Sequence, residues 1–376
     1  MNDIDEVKSR INIVDIIGEK VRLKKAGANY FGLCPFHNEK TPSFSVNENL
    51  QIFKCFGCGE SGDAIKFMMK VNNMTFPEVL EELSERTGYK LQGQFNKAED
   101  KELITKRNIA LEINSIASNF FFKELVINEE NPGYRYLRKR NLTTELAEVF
   151  KLGYASESYQ NLIQYFTQKG YTEKTLLENG LITNKDGRFV NKFRNRLIFS
   201  VFDQKGSIVG FSGRYIGEDK GDFTPPKYLN SPETVVFNKS KLLFGLYQAS
   251  ESIRKMKFVI LCEGQMNVLS SYRVGVKNIV ASLGTSFTPS HLEILRRQTS
   301  SIYLSFDKDS AGKKATLRVL EMIFSSESEI NVKVVAWDKS LGKDPDEVIL
   351  KDEKKWFDAV NNAMDPIDYL IDEFYS

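Results

Sequence analysis

The chain contains no uninterrupted apolar run of the roughly 18 residues that a membrane-spanning helix needs, so no membrane span is expected. Its opening residues, Met1-Asn2-Asp3-Ile4-Asp5-Glu6, have neither the basic region nor the apolar core of a secretory signal. Four cysteines in 376 residues are too few for a disulfide framework, which points to a reducing, cytosolic setting. Histidine is scarcer still, with two. No internal repeat or low-complexity tract is present. A strong overall charge is also missing: 52 Lys and Arg against 50 Asp and Glu leave +2, which selects no partner. The distribution says more. Residues 1–90 hold 12 basic against 13 acidic side chains, whereas residues 185–241 hold 11 against 6. Such a basic surface either recruits a polyanion or is an ordinary solvated face.

What is present suits a soluble globular protein of two or three domains, with 41% hydrophobic and 27% charged residues. The organising stretch runs from Lys257 to Asp346. Four short apolar runs, Phe258–Cys262, Asn278–Ala281, Ser301–Phe306 and Val332–Trp337, read as buried strands. Segments of helical length between them, including Thr288 to Gln298 and Gly312 to Phe324, predict a mainly parallel α/β sheet. Acidic residues follow three of these strands: Glu263, the pair Asp307 and Asp309, and the pair Asp344 and Asp346. Ligands of open α/β sheets gather at those carboxyl ends. Carboxylates converging there need a cation or a basic partner, and hard divalent ions prefer such oxygens. Helix capping is the alternative, by Asp309 or Ser310 for one helix and by Asp344 or Asp346 for the next.

Near the N-terminus, Cys34-Pro35-Phe36-His37 and Cys55-Phe56-Gly57-Cys58 form two pairs, each with two intervening residues. Zinc favours four tetrahedral ligands of this kind, and three thiolates with one imidazole leave no open position, so a structural site is favoured over a catalytic one. Phe44–Val46 and Gln51–Lys54 alternate around Asn47-Glu48-Asn49 as a hairpin carrying the second pair. Phe31, Phe36, Phe44, Phe53 and Phe56 form the expected core, with base stacking as the alternative for one or two. Lys40, Lys54 and Lys66 are phosphate candidates or plain surface lysines. Asp3 to Gly18 reads as one amphipathic helix, and further helices are expected over Ala64–Lys70 and from Phe76 to Gly88.

Polar residues around Gly93 mark a linker at 93–100. Helices are expected over Lys101–Leu125, Tyr134–Arg140, Thr143–Phe150, Tyr159–Lys169 and Thr172–Glu178. Strands then follow through Phe193-Arg194-Asn195-Arg196-Leu197-Ile198-Phe199 and Ile208–Gly213, with a loop from Gly221 to Tyr228. Period-two alternation puts Arg194 and Arg196 on one face, as a phosphate fork or a buried ion pair.

These motifs, taken in order, resemble bacterial DnaG-type primases. Leu33-Cys34-Pro35-Phe36-His37-Asn38-Glu39-Lys40-Thr41-Pro42-Ser43-Phe44 and Gly57–Ala64 resemble the family's zinc-binding domain. Leu152–Ala155, Phe193–Phe199 and Lys227–Thr234 look like its polymerase core. Glu263-Gly264, Asp307-x-Asp309 with Ala311-Gly312, and Gly342–Asp346 match its Toprim domain. The resemblance covers nearly the whole chain. It implies a zinc-binding domain at 1–92, a helical and mixed N-terminal polymerase subdomain at 101–250 and a Toprim domain at 251–345. Residues 346–376 are then the start of a C-terminal helical subdomain, and the usual helicase-binding domain is expected to be absent, so a replicative helicase would have to be met another way.

The implied activity is synthesis of RNA primers from ribonucleoside triphosphates on single-stranded DNA, giving an RNA–DNA hybrid, in a cytoplasmic, replisome-associated setting. One structural Zn²⁺ would be held by Cys34, His37, Cys55 and Cys58. Glu263, Asp307 and Asp309 would be catalytic and hold Mg²⁺ or Mn²⁺, with Asp344 and Asp346 completing the cluster. Arg194, Asn195, Arg196, Arg214, Lys227 and Lys239 would contact nucleic acid or nucleotide. Two local departures stand out. Gln265 and Asn267 occupy positions where the family has Tyr and Asp, and Lys308 replaces a glycine between the two aspartates. A non-catalytic zinc-ribbon and Toprim nucleic-acid-binding protein is the competing function. Topoisomerase or nuclease chemistry is a third, although no stretch looks like the companion domain that a topoisomerase tyrosine requires.

Overall fold

The computed structural model describes residues 3–37, 39–72, 74, 76–91, 97–217, 225–284, 286–326 and 330–375. It divides into two compact units, Met1–Ile104 and Thr105–Ser376.

In the first unit, α1 (Asp3–Ser9) and α2 (Ile13–Gly18) replace the single helix expected over Asp3 to Gly18. Asn12 takes an extended backbone and its side chain accepts from the Val14 N–H, so a new helix starts there. The apolar face survives the break, with Val7, Ile13 and Ile17 fully buried. Strands β1 (Lys24–Ala26), β2 (Asn29–Gly32), β3 (Phe44–Asn47), β4 (Ile52–Cys55) and β5 (Ser61–Gly62) form an antiparallel sheet in chain order. The expected hairpin is β3–β4, with Phe44 opposite Cys55. Helices α3 (Ala64–Val71) and α4 (Phe76–Thr87) follow, α3 capped by Asp63. Phe44 and Phe53 stack at 5.1 Å and meet Phe36 and Phe67. Phe56 departs from the expected core: it is 68% exposed, and Phe67 from α3 packs in its stead.

Helix α5 (Lys97–Val126) starts four residues before Lys101, inside the expected linker, of which residues 93–96 lie outside the described residues. The second unit continues through α6 (Pro132–Lys139), α7 (Thr144–Val149), β6 (Leu152–Ala155), α8 (Asn161–Gln168) and α9 (Glu173–Glu178). The hairpin β7 (Ile182–Lys185) and β8 (Arg188–Asn191) precedes β9 (Arg196–Phe202), β10 (Ile208–Tyr215) and β11 (Tyr228–Asn230). An antiparallel sheet forms in the order β11-β10-β9-β6. Of the loop expected from Gly221 to Tyr228, residues 221–224 lie outside the described residues.

After α10 (Leu246–Met256), the four expected strands appear as β12 (Val259–Cys262), β13 (Ile279–Ala281), β14 (Ser301–Ser305) and β15 (Asn331–Val334). All pair in parallel, in the order β13-β12-β14-β15. Helices α11 (Gln265–Arg273), α12 (Pro289–Arg296) and α13 (Ser310–Phe324) connect them, and α14 (Pro345–Lys351), α15 (Glu353–Asn361) and α16 (Pro366–Tyr375) follow. The order reverses between β12 and β14, which makes that gap the switch point where such sheets bind ligands.

Buried side chains pack across the expected boundary at 250. Phe150 and Phe199, from the first half of the unit, pack on Phe244, and one buried cluster continues to Ile260, Ile279 and Trp356. Among the described residues no helix is long and apolar enough to cross a membrane.

The entry to α13 has no slack. A Cβ on Gly312 would collide with the carbonyl, carbon and nitrogen of Asp307, all backbone atoms that cannot rotate aside. Gly312→Ala is expected to destabilise the second unit by about 1–3 kcal/mol, as overpacking does; unchanged thermal and urea unfolding would show that this loop yields freely.

Candidate functional site

The first unit brings Cys34, His37, Cys55 and Cys58 together, with one donor atom from each all within 4.8 Å of one another. Tetrahedral zinc with Zn–S bonds of about 2.3 Å sets sulfurs about 3.8 Å apart. The Cys34 and Cys58 sulfurs are 3.8 Å apart, and Cys55 Sγ is 3.8 Å from His37 Nδ1, so the residues present fit the ion. The other imidazole nitrogen, Nε2, lies 3.3 Å from Glu39 Oε2. Glu39 Oε1 also accepts from the backbone N–H groups of Cys34 at 2.7 Å and Ser43 at 3.2 Å, and the Ser43 hydroxyl donates to Oε2. Glu39 thus fixes one ligand's ring and another's backbone, the service that outer carboxylates give metal-bound histidines. It has no place in the ligand spacing and was not singled out from sequence. Lys40 and Lys54 are exposed, Lys54 lying over the Phe56 ring, while Lys66 donates to the Ser61 carbonyl.

In the second unit, Glu263 directly follows β12, Asp307 follows β14 and Asp344 precedes α14. These three border an open cavity of ≈ 260 Å³ at the switch point. Two backbone ties set their spacing: the Asp307 N–H donates to Glu263 Oε1 at 3.2 Å, and the Lys308 N–H donates to the Lys343 carbonyl at 2.8 Å. Burial, followed by the charges of Glu263, Asp344 and Asp309, pushes the Asp307 carboxyl up to about 7. Burial also raises Glu263 and Asp344, and neighbouring carboxylates add to both. Asp307 Oδ1 is buried with no hydrogen-bond partner. Repelling carboxylates with an orphaned oxygen fit a hard divalent cation. Capping and ion holding turn out to be compatible. Asp309 Oδ1 accepts from the Ala311 and Gly312 N–H groups and Asp344 Oδ1 from Glu347, so each cap occupies one oxygen of its carboxylate.

Asp346 lines the same cavity from a more buried position. It is 4% exposed, its Oδ2 accepts from Arg140 at 2.8 Å, and its Oδ1 accepts the Ser270 hydroxyl. Asp346 thus pairs with Arg140 at the wall of the same cavity. Arg140 lies 206 residues away in the chain and has no local motif, which is why sequence reading missed it.

Arg214 and Lys227 line the same cavity. Arg214 donates to the Tyr228 hydroxyl at 2.9 Å and lies over the Tyr136 and Tyr228 rings, which fix its planar head. Lys227 is lowered by burial and by Arg214 and Lys343, against the opposing pull of Asp344 and Asp307. Arg194, Asn195 and Arg196 border a second cavity of ≈ 530 Å³ with Lys185, Lys192 and Tyr215. The expected alternation does not arrange them: β9 starts only at Arg196, and Asn195 has φ +50°. Arg194 stacks 3.8 Å from the Tyr159 ring centre. Arg196 is 3% exposed and gives Nη1 to the carbonyls of Gly213 and Pro226, so it supports the loop before Lys227 instead of forming an open fork with Arg194. Lys239 does not border the acidic cavity; its carbonyl accepts from His291 and it lowers the neighbouring Lys192.

The departures at 265 and 267 are built into the scaffold. Gln265 donates to the Ser212 hydroxyl at 3.1 Å, and Asn267 Oδ1 accepts from the Asp346 N–H at 3.4 Å. Lys308 turns its ammonium away, towards Trp337, Tyr369 and Glu373.

Three family descriptions match this layout: CHC2 zinc finger over residues 1–99, DNA primase catalytic core N-terminal domain over 120–250, and Toprim-like over 260–349. A DNA primase of Clostridium acetobutylicum is 40% identical over 99% of the chain, which spans 60% of that relative's length. Among solved structures, the zinc-binding and RNA polymerase domains of the Aquifex aeolicus primase are 35% identical, with a TM-score of 0.64 over 99% of this chain and 88% of that one. A DNA primase domain from Pseudomonas aeruginosa is 32% identical, with a TM-score of 0.63 over 70% of this chain and 82% of that one. A zinc ribbon, an N-terminal catalytic core and a Toprim-like sheet in this order, at these identities, place the chain in the DnaG primase family.

Proposed function

We propose that this chain joins ribonucleoside triphosphates into short RNA primers on a single-stranded DNA template. The observation that carries the reading is the trio Glu263, Asp307 and Asp344, held at the sheet's switch point opposite Arg214 and Lys227. Glu263, Asp307 and Asp309 would hold Mg²⁺ or Mn²⁺, with Asp344 and Asp346 completing the cluster. Such an ion, when bound, offsets charge on the phosphates and aligns the attacking and departing oxygens. The remaining work falls to the chain's own side chains. Lys227 and Arg214 face phosphate across the cavity, and the tyrosines around Arg214 keep it oriented before substrate arrives. The reaction is attack of a ribose 3′-oxygen on the α-phosphorus of the incoming triphosphate, with pyrophosphate leaving. Positioning and charge balance are the main demands. Arg194, flat on Tyr159 beside Lys185 and Lys192, offers a cationic and aromatic surface for the template strand. A solved relative is the DnaG primase catalytic domain bound to single-stranded DNA, 30% identical to this chain. In the first unit, Cys34, His37, Cys55 and Cys58 would hold one structural Zn²⁺.

The deciding experiment is incorporation of labelled ribonucleotides on mixed-sequence single-stranded DNA, with Mg²⁺ and Mn²⁺ supplied separately. Product from the native chain and none from Asp307→Ala is expected; equal product from both would overturn the assignment.

The cluster also sets a pH dependence of stability. Asp307 titrates at about 7 in the fold, against 3.8 for an ordinary aspartate. Between those values the unfolded chain has lost a proton that the folded one keeps, so stability falls as pH rises and the loss is complete above about 7. At pH 8 in chelator, Asp307→Asn is expected to raise the second unit's Tm by roughly 2–6 °C, a change of about 1–2 kcal/mol. Divalent ion should then stabilise the native chain more than the variant. Calorimetry with and without Mn²⁺ checks both, and a less stable Asp307→Asn in chelator would contradict the repulsion.

Glu39→Ala keeps all four zinc donors and removes the carboxylate that contacts the His37 ring and the Cys34 backbone. Zinc retention against a competing chelator should weaken by roughly 10–100-fold. Retention equal to the native chain's would show that Glu39 does not serve the site.

A further inference from the structure

We infer that Lys308 is a positioning residue through which the docking of α16 governs how tightly the acidic loops hold a divalent ion. The inference rests on the reading that Asp307, Asp309 and their neighbours hold such an ion. Lys308 stands between two of those acids, and its flexible stem lets the ammonium reach the carboxylates on either side. Left free, it would act as a built-in counter-ion and compete with the divalent ion for the same charge.

The structure draws that ammonium elsewhere. Lys308 Nζ lies 5.4 Å from the Trp337 ring centre, 5.3 Å from that of Tyr369 and 3.9 Å from Glu373 Oε1, and the side chain is 9% exposed. Two aromatic faces and a carboxylate are an adequate substitute for water around a partly buried ammonium. The cage has two independent sides. Trp337 belongs to the loop that leads to Asp344: its Nε1 donates at 2.9 Å to the Gly342 carbonyl, two residues before that acid. Tyr369 and Glu373 belong to α16, and Glu373 also pairs with Lys313 of α13. The Lys308 N–H is meanwhile bonded to the Lys343 carbonyl, so its backbone cannot follow the side chain. Separation of α16 would remove half of the cage and leave Lys308 anchored beside the carboxylates with its charge unshared. Ion affinity would fall and, by reciprocity, ion binding would strengthen α16 docking.

The test uses the full chain and Mn²⁺ alone, with affinity read by calorimetric titration and by the electron paramagnetic resonance of free Mn²⁺. Tyr369→Ala with Glu373→Gln opens the cage from the helix side. Lys308→Met keeps the stem and the backbone bond but removes the charge. The double variant is expected to bind Mn²⁺ about 3–10-fold more weakly than the native chain, the scale of one unshared charge at a partly solvated site. The same two substitutions on a Lys308→Met background should change the affinity by less than about two-fold, the expectation when the released charge is the only link. An equal loss in both backgrounds would show that α16 acts only as packing and would overturn the inference, as would no loss in either. Failure of the underlying reading looks different: the native chain and Asp307→Ala would then bind Mn²⁺ alike, whatever the state of residue 308.

Discussion

Carboxylates at the ends of parallel strands repel one another, and the second unit is arranged around keeping that repulsion in place. The Asp307 N–H holds the Glu263 carboxylate, a backbone bond ties the 307–309 and 343–346 loops, and Gly312 lets α13 press directly on Asp307. Partial burial and the neighbouring carboxylates together push the Asp307 carboxyl up to about 7 and raise Glu263 and Asp344 as well. A fold that holds acids this way gives up stability in the absence of a cation, and that cost is the sign of a site prepared for one. The cationic wall obeys the same logic. Arg214 and Lys227 line the same cavity as the acids, and Arg214 is held by the Tyr228 hydroxyl instead of by a carboxylate.

The first unit depends on another kind of constraint. Its hydrophobic core is small, centred on Phe44, Phe53 and Phe67, and the buried cysteines Cys34 and Cys55 belong to the same cluster. Metal ligation and core packing are therefore one event in this sheet, as in other small domains whose thiolates need an ion to converge. Glu39 adds the orientation that four donors alone lack, by holding the histidine ring and the backbone of the first cysteine together.

Much of this was legible in the sequence because its carriers are local. Ligand spacing marked the zinc quartet. Short apolar runs ending in acids marked β12 and β14 and hence the switch point. Contacts made across long separations were not legible. Arg140 meets Asp346 over 206 residues, and nothing in the sequence near either one announces that pair. The fork of Arg194 and Arg196 failed for a local reason that residue types conceal: the left-handed backbone at Asn195 delays β9 by a turn of the chain, so period-two reasoning starts too early. Phe56 shows the limit of counting aromatics, since in a hairpin knuckle the residue beside a ligand can face outward.

The substitutions that set this chain apart from its family pattern follow one electrostatic argument. An aspartate at 267 would stand beside the N–H of Asp346, whose own carboxylate is already matched by Arg140 and Ser270. Asn267 makes the same acceptor contact without a second buried negative charge, and the inner wall remains balanced by Arg140 alone. Lys308 brings a positive charge to the outer side of the cluster and stores it between Trp337, Tyr369 and Glu373. Both changes make the local environment less negative, one by omission and one by a charge held in reserve. Glu263, Asp307, Asp309 and Asp344 keep a geometry set by backbone N–H donors and helix caps, which does not depend on either position's side-chain charge.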